Sequence, residues 1–506
     1  MTRHGHTTWI PETVLVATQG NLLGAQGAGS FSTVCIDSRE VVDGALFVAI
    51  EGPVQDGHRF IPQAVAAGAR GLVVNQDKVS DLPIAQFQKQ GIFCVAVPDT
   101  TRALGDLAAY HRQRMPASVV AITGSYGKTT TREMMASIFS RNFNTLSAKK
   151  NFNNEWGLPL TLLSLAAKHQ WAICEMGMNR FGEIRRLGQI SRPDIGLITN
   201  VGPVHLAGVE SLDGVMAAKG ELLESIHPNG TVVLNADDPR GLLLGQQARC
   251  RVFYFGLSPE ASVRAESICE AGEHVAFRLI LPGETVVVRG ETVDVRGETV
   301  VVHGETVDVP GETVDVTLNV PGRFMVENAL AAAAVGHLAG ISGQDIKAGL
   351  EAFCAVSGRM KLIATVGGIR IIDDAYNASP ATMPPAIEIL DKLKGDRRGF
   401  LILGDMAELG PESEAFHRQL GRQIARSRAT RIYLTGDYAQ VVKQAAIDGN
   451  MDAGNFFIGS RAEILANIKP HLQAGDWVLV KASRSIGLER AVADLLAWAG
   501  GEVKGQ

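Results

Sequence analysis

The chain has no apolar run of the ~20 residues that a helix needs to cross a bilayer, so no membrane span is expected. Its 6 cysteines (Cys35, Cys94, Cys174, Cys250, Cys269 and Cys354) are scattered and include no Cys-x-x-Cys pair. That argues against a zinc ribbon or a disulfide framework and reads as reduced core thiols. Basic charge is not in excess: 48 Lys and Arg stand against 53 Asp and Glu, a net charge of -5, so nucleic acid is not an expected partner. Residues 1–9 lack the apolar stretch of a secretory signal. With the reduced thiols, this gives the expectation of a cytoplasmic protein. At 506 residues the chain is too long for one core, and two to four domains are expected.

The most informative stretch is Val119-Val-Ala-Ile-Thr-Gly-Ser-Tyr-Gly-Lys-Thr-Thr-Thr131, an apolar strand, a glycine turn and a Lys-Thr pair that opens a helix-like segment, 132–139. Gly124, Ser125 and Gly127 let backbone N–H groups converge on an anion, and the helix N-terminus adds positive potential. Lys128 then bridges outer phosphate oxygens, the Thr129 hydroxyl is placed to ligate Mg²⁺, and Thr130 comes next in the helix. The usual loop begins with glycine where this chain has Ile122, and the competing reading is an ordinary turn before an amphipathic helix. The strand before and the helix after favour phosphate binding.

Around this loop the chain alternates apolar runs with helix-like segments. Runs 45–50, 71–74 and 92–97, with a helix-like 60–67 between them, form a small α/β unit, and 101–114 reads as a helix leading out of it. Runs 171–176, 195–199 and 231–235 give a mostly parallel sheet with helices on both faces. Runs 369–372, 399–403, 431–435 and 477–481 give a third unit. The expected fold is therefore α/β in three domains, 1–112, 113–355 and 356–506, the central one P-loop ATPase-like and the last Rossmann-like. Residues 283–316 are five tandem copies of Gly-Glu-Thr-Val-x-Val spaced seven apart. Each copy is a short alternating β segment, so hairpins or a small meander are expected, although near-identical units specify register poorly. The favoured reading is a surface hairpin without catalytic work.

Polar residues at strand ends are where open α/β sheets bind ligands. Glu175 ends one strand, His205 comes after another, and Lys219 sits in a helix-like segment, 215–223. Singly, each has an ordinary reading: a solvated strand end, a capping or core histidine, a surface lysine. Together, after a phosphate loop, they read as a cation site. Thr129 and Glu175 would offer oxygens to one Mg²⁺, and His205 would ligate or orient a second.

Glu175-Met-Gly-Met-Asn179, Asn200-Val-Gly-Pro-Val-His205, Ala218-Lys-Gly-Glu221 and Asn235-Ala-Asp-Asp238 come after the loop in order. Ser357-Gly-Arg-Met360, Ile372-Asp-Asp-Ala-Tyr-Asn-Ala-Ser-Pro380 and Lys481-Ala-Ser-Arg484 come later, and Asp37-Ser-Arg39 and Asp56-Gly-His58 come before. Over nearly the whole chain except the repeat, this resembles the Mur ligases, the ATP-dependent amide ligases of peptidoglycan precursor synthesis. Asp373-Asp-x-Tyr-Asn377, without an Asp-Asn-Pro-Arg signature, points to the activity that adds D-alanyl-D-alanine to UDP-N-acetylmuramoyl-tripeptide. The resemblance implies a monomer with ATP and Mg²⁺ as cofactors, acting through an acyl phosphate. It implies a first domain for the UDP-sugar, a second for ATP, and a third that closes the site and receives the dipeptide.

Residue by residue, it implies Lys128 at the outer phosphates and Thr129 and Glu175 at the first Mg²⁺. His205 goes to the second Mg²⁺, and Lys219 is carried as a carbamate at the metal site. Asn328 goes to adenine, Arg359 and Asp374 close over ATP with Asp374 at the ribose, and Asn153 and Asn154 go to the muramoyl-peptide. Ser38 and Arg39 go to the uridine, and Tyr376 and Asn377 to substrate. Three departures stand out: Tyr126 replaces the usual Asn or Ser of the loop, Phe324-Met325 replaces His-Asn, and Ser379 replaces Asn. The rival readings are another amide ligase, Mur-type or folylpolyglutamate-type, and a non-catalytic nucleotide-sugar-binding paralogue.

Overall fold

The computed structural model describes residues 9–23, 29–148, 152–287, 292–295, 298–301 and 306–503. Among them, three main sheets stand in series. The first runs in the order Asn21–Leu22, Phe93–Val97, Gly71–Asn75, Leu46–Val48, Val34–Cys35, parallel except at Asn21–Leu22. Its middle strands are unbroken apolar runs because both faces are covered. The expected helices here are Ile61–Ala66 and Thr100–Arg112, the second capped by Asp99, which accepts from the Arg102 amide at 3.0 Å.

The central sheet runs Glu312–Leu318, His274–Leu281, Val263–Ala271, Arg251–Gly256, Thr231–Asn235, Ile195–Ile198, Ser118–Thr123, Trp171–Glu175, Thr145–Ser147. Each of its first three strands is antiparallel to the next, with buried and exposed positions alternating in Glu312–Leu318 and His274–Leu281; the rest are parallel, and those in the middle of the sheet are buried. Ser118–Thr123 therefore has a parallel neighbour on each side. Its C-terminal end feeds the helix Lys128–Phe139, whose apolar face (Met134, Met135, Ile138, Phe139) is buried with the helix Phe324–Leu338. The helix expected over 215–223 is divided into Leu212–Gly220 and a tighter turn, Glu221–Ser225. At the division the Glu221 carboxylate accepts from the Gly182 and Arg185 amides at 2.8 and 3.1 Å, capping the helix Glu183–Ser191.

The third sheet runs Lys361–Ala364, Arg370–Asp374, Trp477–Lys481, Gly399–Gly404, Arg431–Thr435, Phe456–Ile458, parallel after its first strand. No described helix is long and apolar enough to cross a membrane.

The repeat forms neither a meander nor separate hairpins. His274–Leu281 pairs with Glu312–Leu318, Glu284–Val287 with Thr306–Val309, and Thr292–Val295 with Glu298–Val301. The register does not change along the way: Leu281 faces Glu312, Val287 faces Thr306, and Val295 faces Glu298. It is one antiparallel ribbon growing from the edge of the central sheet. The units themselves specify pairing poorly, but their base is held in a folded sheet, and this anchors the register of the pairs further out. Residues 288–291, 296–297 and 302–305 of the repeat lie outside the described residues.

Polar contacts join the second and third units on two flanks, besides those at the cavity. Lys392 Nζ pairs with Glu270 at 2.6 Å, and Arg370 pairs with Glu273. On the other flank, His205 Nδ1 meets the Glu408 carboxylate, and the Ala207 amide donates to the Glu408 carbonyl at 3.2 Å.

Candidate active site

A cavity of about 1020 Å³ lies where the three units meet, with Asn75 and Thr101 on the first, Lys128 and Glu175 on the second, and Arg359 and Arg484 on the third among its walls. The loop between Thr123 and Lys128 shapes its floor. Gly124 and Gly127 have φ of +147° and +82°, and a Cβ would stand 1.9 Å from Thr199 Oγ1 and 2.2 Å from Asn328 Oδ1 respectively. Both positions therefore require glycine.

The Ser125 and Tyr126 amides do not point to an anion. They donate to Asn200 Oδ1 at 3.2 and 3.0 Å, and Thr199 Oγ1 donates to the Tyr126 carbonyl at 2.8 Å. This corrects the expectation of a nest built from those amides. Strapping the loop to the end of the neighbouring strand uses them, whereas the first amides of a helix, here the one that opens at Lys128, have no partner within the helix and suit an anion. Lys128 Nζ folds back to donate to the Gly124 carbonyl at 2.6 Å. Burial brings its pKa down to about 8, with Glu175 opposing the fall and Arg359 adding to it.

Glu175 is 2% exposed and is surrounded by donors. Thr129 Oγ1 donates to it at 3.0 Å and Asn153 Nδ2 at 3.0 Å, and the Arg132 guanidinium lies at 3.6 Å. Arg359 Nη2 reaches Thr129 Oγ1 at 3.2 Å, so the third unit touches the loop directly. Lys219 is 1% exposed, lies behind the cavity wall, and makes no hydrogen bond or ion pair among the described residues. Burial, then the charge of Lys128, pushes its pKa well below that of an ordinary lysine.

His205 has a left-handed backbone (φ +55°), as does its partner Glu408 (φ +64°). Asn328 Oδ1 accepts from Thr131 Oγ1 at 3.2 Å. Asp374 accepts from Lys481 Nζ at 2.5 Å and from the Met360 amide at 3.1 Å, and the Asn377 carbonyl takes the same lysine at 2.9 Å. Asn154 Oδ1 accepts from the Gly157 amide at 2.9 Å. The Tyr376 ring carries the Arg359 guanidinium 4.0 Å from its centroid.

Of the residues singled out in the sequence, Ser125, Gly127, Lys128, Thr130, Asn153, Asn154, Glu175, His205, Asn328, Arg359, Asp374, Tyr376 and Asn377 line the cavity. Gly124, Thr129 and Lys219 stand behind that lining. Ser38 and Arg39 do not reach it. Ser38 Oγ donates to Gln63 at 3.0 Å, and Arg39 pairs with Asp37 at 2.6 Å on the outer face of the first unit. Tyr126 turns into the wall against Gly202, where a Cβ would stand 2.7 Å from its ring, and Phe324 and Met325 line the cavity too. Arg132, Glu408, Lys481 and Arg484 were missed as site residues. Arg132 was open to detection: it lies one helical turn beyond Thr129 and so shares its face. Lys481 and Arg484 bound the motif Lys481-Ala-Ser-Arg484, so the sequence marks them as well, whereas tertiary packing brings Glu408 in.

Family models match three stretches: "Mur ligase family, catalytic domain" at 30–112, "Mur ligase middle domain" at 122–336 and "Mur ligase, glutamate ligase domain" at 358–484. The chain is 35% identical over 478 residues to the UDP-N-acetylmuramoyl-tripeptide–D-alanyl-D-alanine ligase of Escherichia coli (strain K12), covering 93% of this chain and 95% of that one. It is 30% identical to the enzyme of the same name from Bacillus subtilis (strain 168), covering 92% and 93%. Among solved structures, MurF from Acinetobacter baumannii matches with a TM-score of 0.81 at 30% identity, over 97% of this chain and 99% of that one. MurF ligase from Thermotoga maritima, in complex with ADP, shares the fold with a TM-score of 0.74 at 24% identity, over 91% and 96%. The chain belongs to the Mur ligase family.

Proposed function

We propose that this chain is an ATP-dependent amide ligase that joins D-alanyl-D-alanine to UDP-N-acetylmuramoyl-tripeptide in peptidoglycan precursor synthesis, acting as a cytoplasmic monomer. Likeness along the whole chain to ligases of that name supports the substrates. The observation that carries the chemistry is the line from Arg359 through Thr129 to Glu175, at 3.2 and 3.0 Å, which joins the third unit to the phosphate loop.

A carboxylate is a poor electrophile. In the proposed reaction, a tripeptide carboxylate oxygen attacks the γ-phosphorus of ATP, ADP leaves, and an acyl phosphate forms. The free amine of the dipeptide attacks the acyl carbon and loses a proton, and phosphate departs from the tetrahedral intermediate. Bringing anions together requires positive charge, which Lys128, Arg359 and the N-terminus of the helix Lys128–Phe139 supply. Thr129 and Glu175 present adjacent oxygens, a donor set that suits Mg²⁺, which otherwise takes phosphate and water oxygens. They would hold the first ion and His205 the second. When bound, Mg²⁺ would neutralise phosphate charge.

Lys219 makes no side-chain hydrogen bond or ion pair among the described residues, and burial lowers its pKa, which favours the neutral amine that adds CO₂ and releases a proton, giving a carbamate in a place short of carboxylates. Asn328 and Asp374 take the nucleoside, Asn153 and Asn154 the muramoyl-peptide, Tyr376 and Asn377 the acceptor end, and Ser38 and Arg39 the uridine. On this reading 1–112, 113–355 and 356–506 are the domains for UDP-sugar, ATP and dipeptide, and the ribbon stands outside the chemistry. Closure excludes water from the acyl phosphate.

The test is phosphate release by the purified protein with ATP, Mg²⁺ and UDP-N-acetylmuramoyl-tripeptide, with and without D-alanyl-D-alanine. Release that depends on the dipeptide is expected. Release with a different amine alone would move the substrate, and nucleotide binding without turnover would favour a non-catalytic paralogue.

A further inference from the structure

The cations around the cavity have separate employments, with one exception. Lys128 lies over its own loop at 2.6 Å from the Gly124 carbonyl, Lys481 holds Asp374 at 2.5 Å, and His205 meets Glu408. Arg359 is turned inward to Thr129. Arg484 is exposed on the cavity rim and belongs to no ion pair among the described residues. Its polar partner is neutral, the Tyr376 hydroxyl at 3.4 Å. Ser483, the residue before it, accepts from the Ala407 amide at 2.8 Å and donates to the Ala378 carbonyl at 3.4 Å, which ties down the backbone that carries Arg484.

We propose that Arg484 receives the C-terminal carboxylate of the incoming dipeptide and thereby selects a free acid as the acceptor. This rests on the ligase reading above. Arg359 and Arg484 both lie against the Tyr376 ring, 4.0 and 5.5 Å from its centroid, which puts the two guanidinium carbons within about 9.5 Å of each other. An extended dipeptide spans ~7 Å. A dipeptide whose amine is at the reacting carbon beside Arg359 thus has Arg484 within reach of its far end. The planar guanidinium fork suits a carboxylate. Arg359 faces the phosphoryl end and Arg484 the carboxylate end.

The test compares wild type, Arg484→Ala and Arg484→Lys on D-alanyl-D-alanine and on its C-terminal amide. Arg484→Ala is expected to raise KM for the dipeptide ~10–100-fold, the usual loss for a charge-assisted hydrogen bond, and to change KM for ATP and for the UDP-tripeptide by less than about twofold. Wild type should use the amide as poorly as Arg484→Ala uses the acid, and Arg484→Ala should lose nothing further on the amide. Arg484→Lys should recover part of the loss. An unchanged KM for the dipeptide, or equal losses on acid and amide, would overturn the assignment. A wild type that is silent with the dipeptide overturns instead the ligase reading beneath it. Arg484 is exposed, and an unchanged melting temperature will show that each variant is folded.

Discussion

Replacing Lys219 with methionine should make the protein more stable and nearly inactive at once. The side chain is 1% exposed, and its amine makes no hydrogen bond or ion pair among the described residues, so it keeps little of the solvation that an ammonium has in water. Methionine keeps most of the methylene packing and removes the polar atom, which should add ~1–3 kcal/mol to the unfolding free energy. For large domains each kcal/mol raises Tm by roughly 2–4 °C, so a rise of several degrees is expected by calorimetry in CO₂-depleted buffer. Turnover, measured as phosphate release, should fall at least about a hundredfold while nucleotide affinity changes little. Bicarbonate should raise the Tm of wild type and produce a carbamate signal with ¹³C label, and do neither in the variant. A Tm below wild type without CO₂, or turnover near wild type, would refute the view that the fold carries this lysine at a cost for its chemistry.

Three further outcomes are expected. Gly127→Ala places a side chain at φ +82° with its Cβ 2.2 Å from Asn328 Oδ1. It should cost about 2–3 kcal/mol of stability and most of the ATP affinity, and titration calorimetry showing normal affinity would contradict the reading. Lys128 has a pKa lowered to about 8 in the free protein, and ATP prefers its protonated form. Affinity should be flat below about pH 8 and fall by up to about tenfold per unit above it, whereas Lys128→Arg should stay flat to about pH 10. Glu408→Ala removes the carboxylate from His205 and leaves the backbone bond to Ala207 intact. Because that carboxylate is half-exposed, the loss should be near ~1 kcal/mol, or about fivefold in turnover, with a more open scattering profile; an unchanged profile would separate this contact from domain closure.

Where sequence patterns were strong, they located the elements well. The buried parallel strands Thr231–Asn235, Arg431–Thr435 and Trp477–Lys481 coincide with their apolar runs, because a strand covered on both faces must be apolar throughout. Lys128, Thr129 and Glu175 were legible for the same local reason: a loop and a neighbouring strand end carry them to one place. The antiparallel edge of the central sheet was not legible. His274–Leu281 mixes exposed Arg278 with buried Leu279, and although one partner, Val263–Ala271, precedes it directly, the other, Glu312–Leu318, lies beyond the repeat. The loop amides were misjudged for a similar reason, since Asn200 arrives from another strand to take them. The meeting of Glu408 with His205 depends on how the third unit sits against the second, which no local pattern encodes.

The ribbon has an arithmetic of its own. Its outermost described pair, Val295 opposite Glu298, leaves two residues for the reversal, the length that suits a tight hairpin. Removing two adjacent inner copies would leave 16 residues between Leu281 and Glu312 in place of 30, an even number as before. Removing one copy would leave an odd number of residues between the fixed pair Leu281 and Glu312, and a two-residue reversal would no longer be possible. Copies can thus be gained or lost in twos without disturbing the sheet edge that bears them. This stalk is a length-tunable appendage on which a label or a tether could be carried while the catalytic domains keep their geometry.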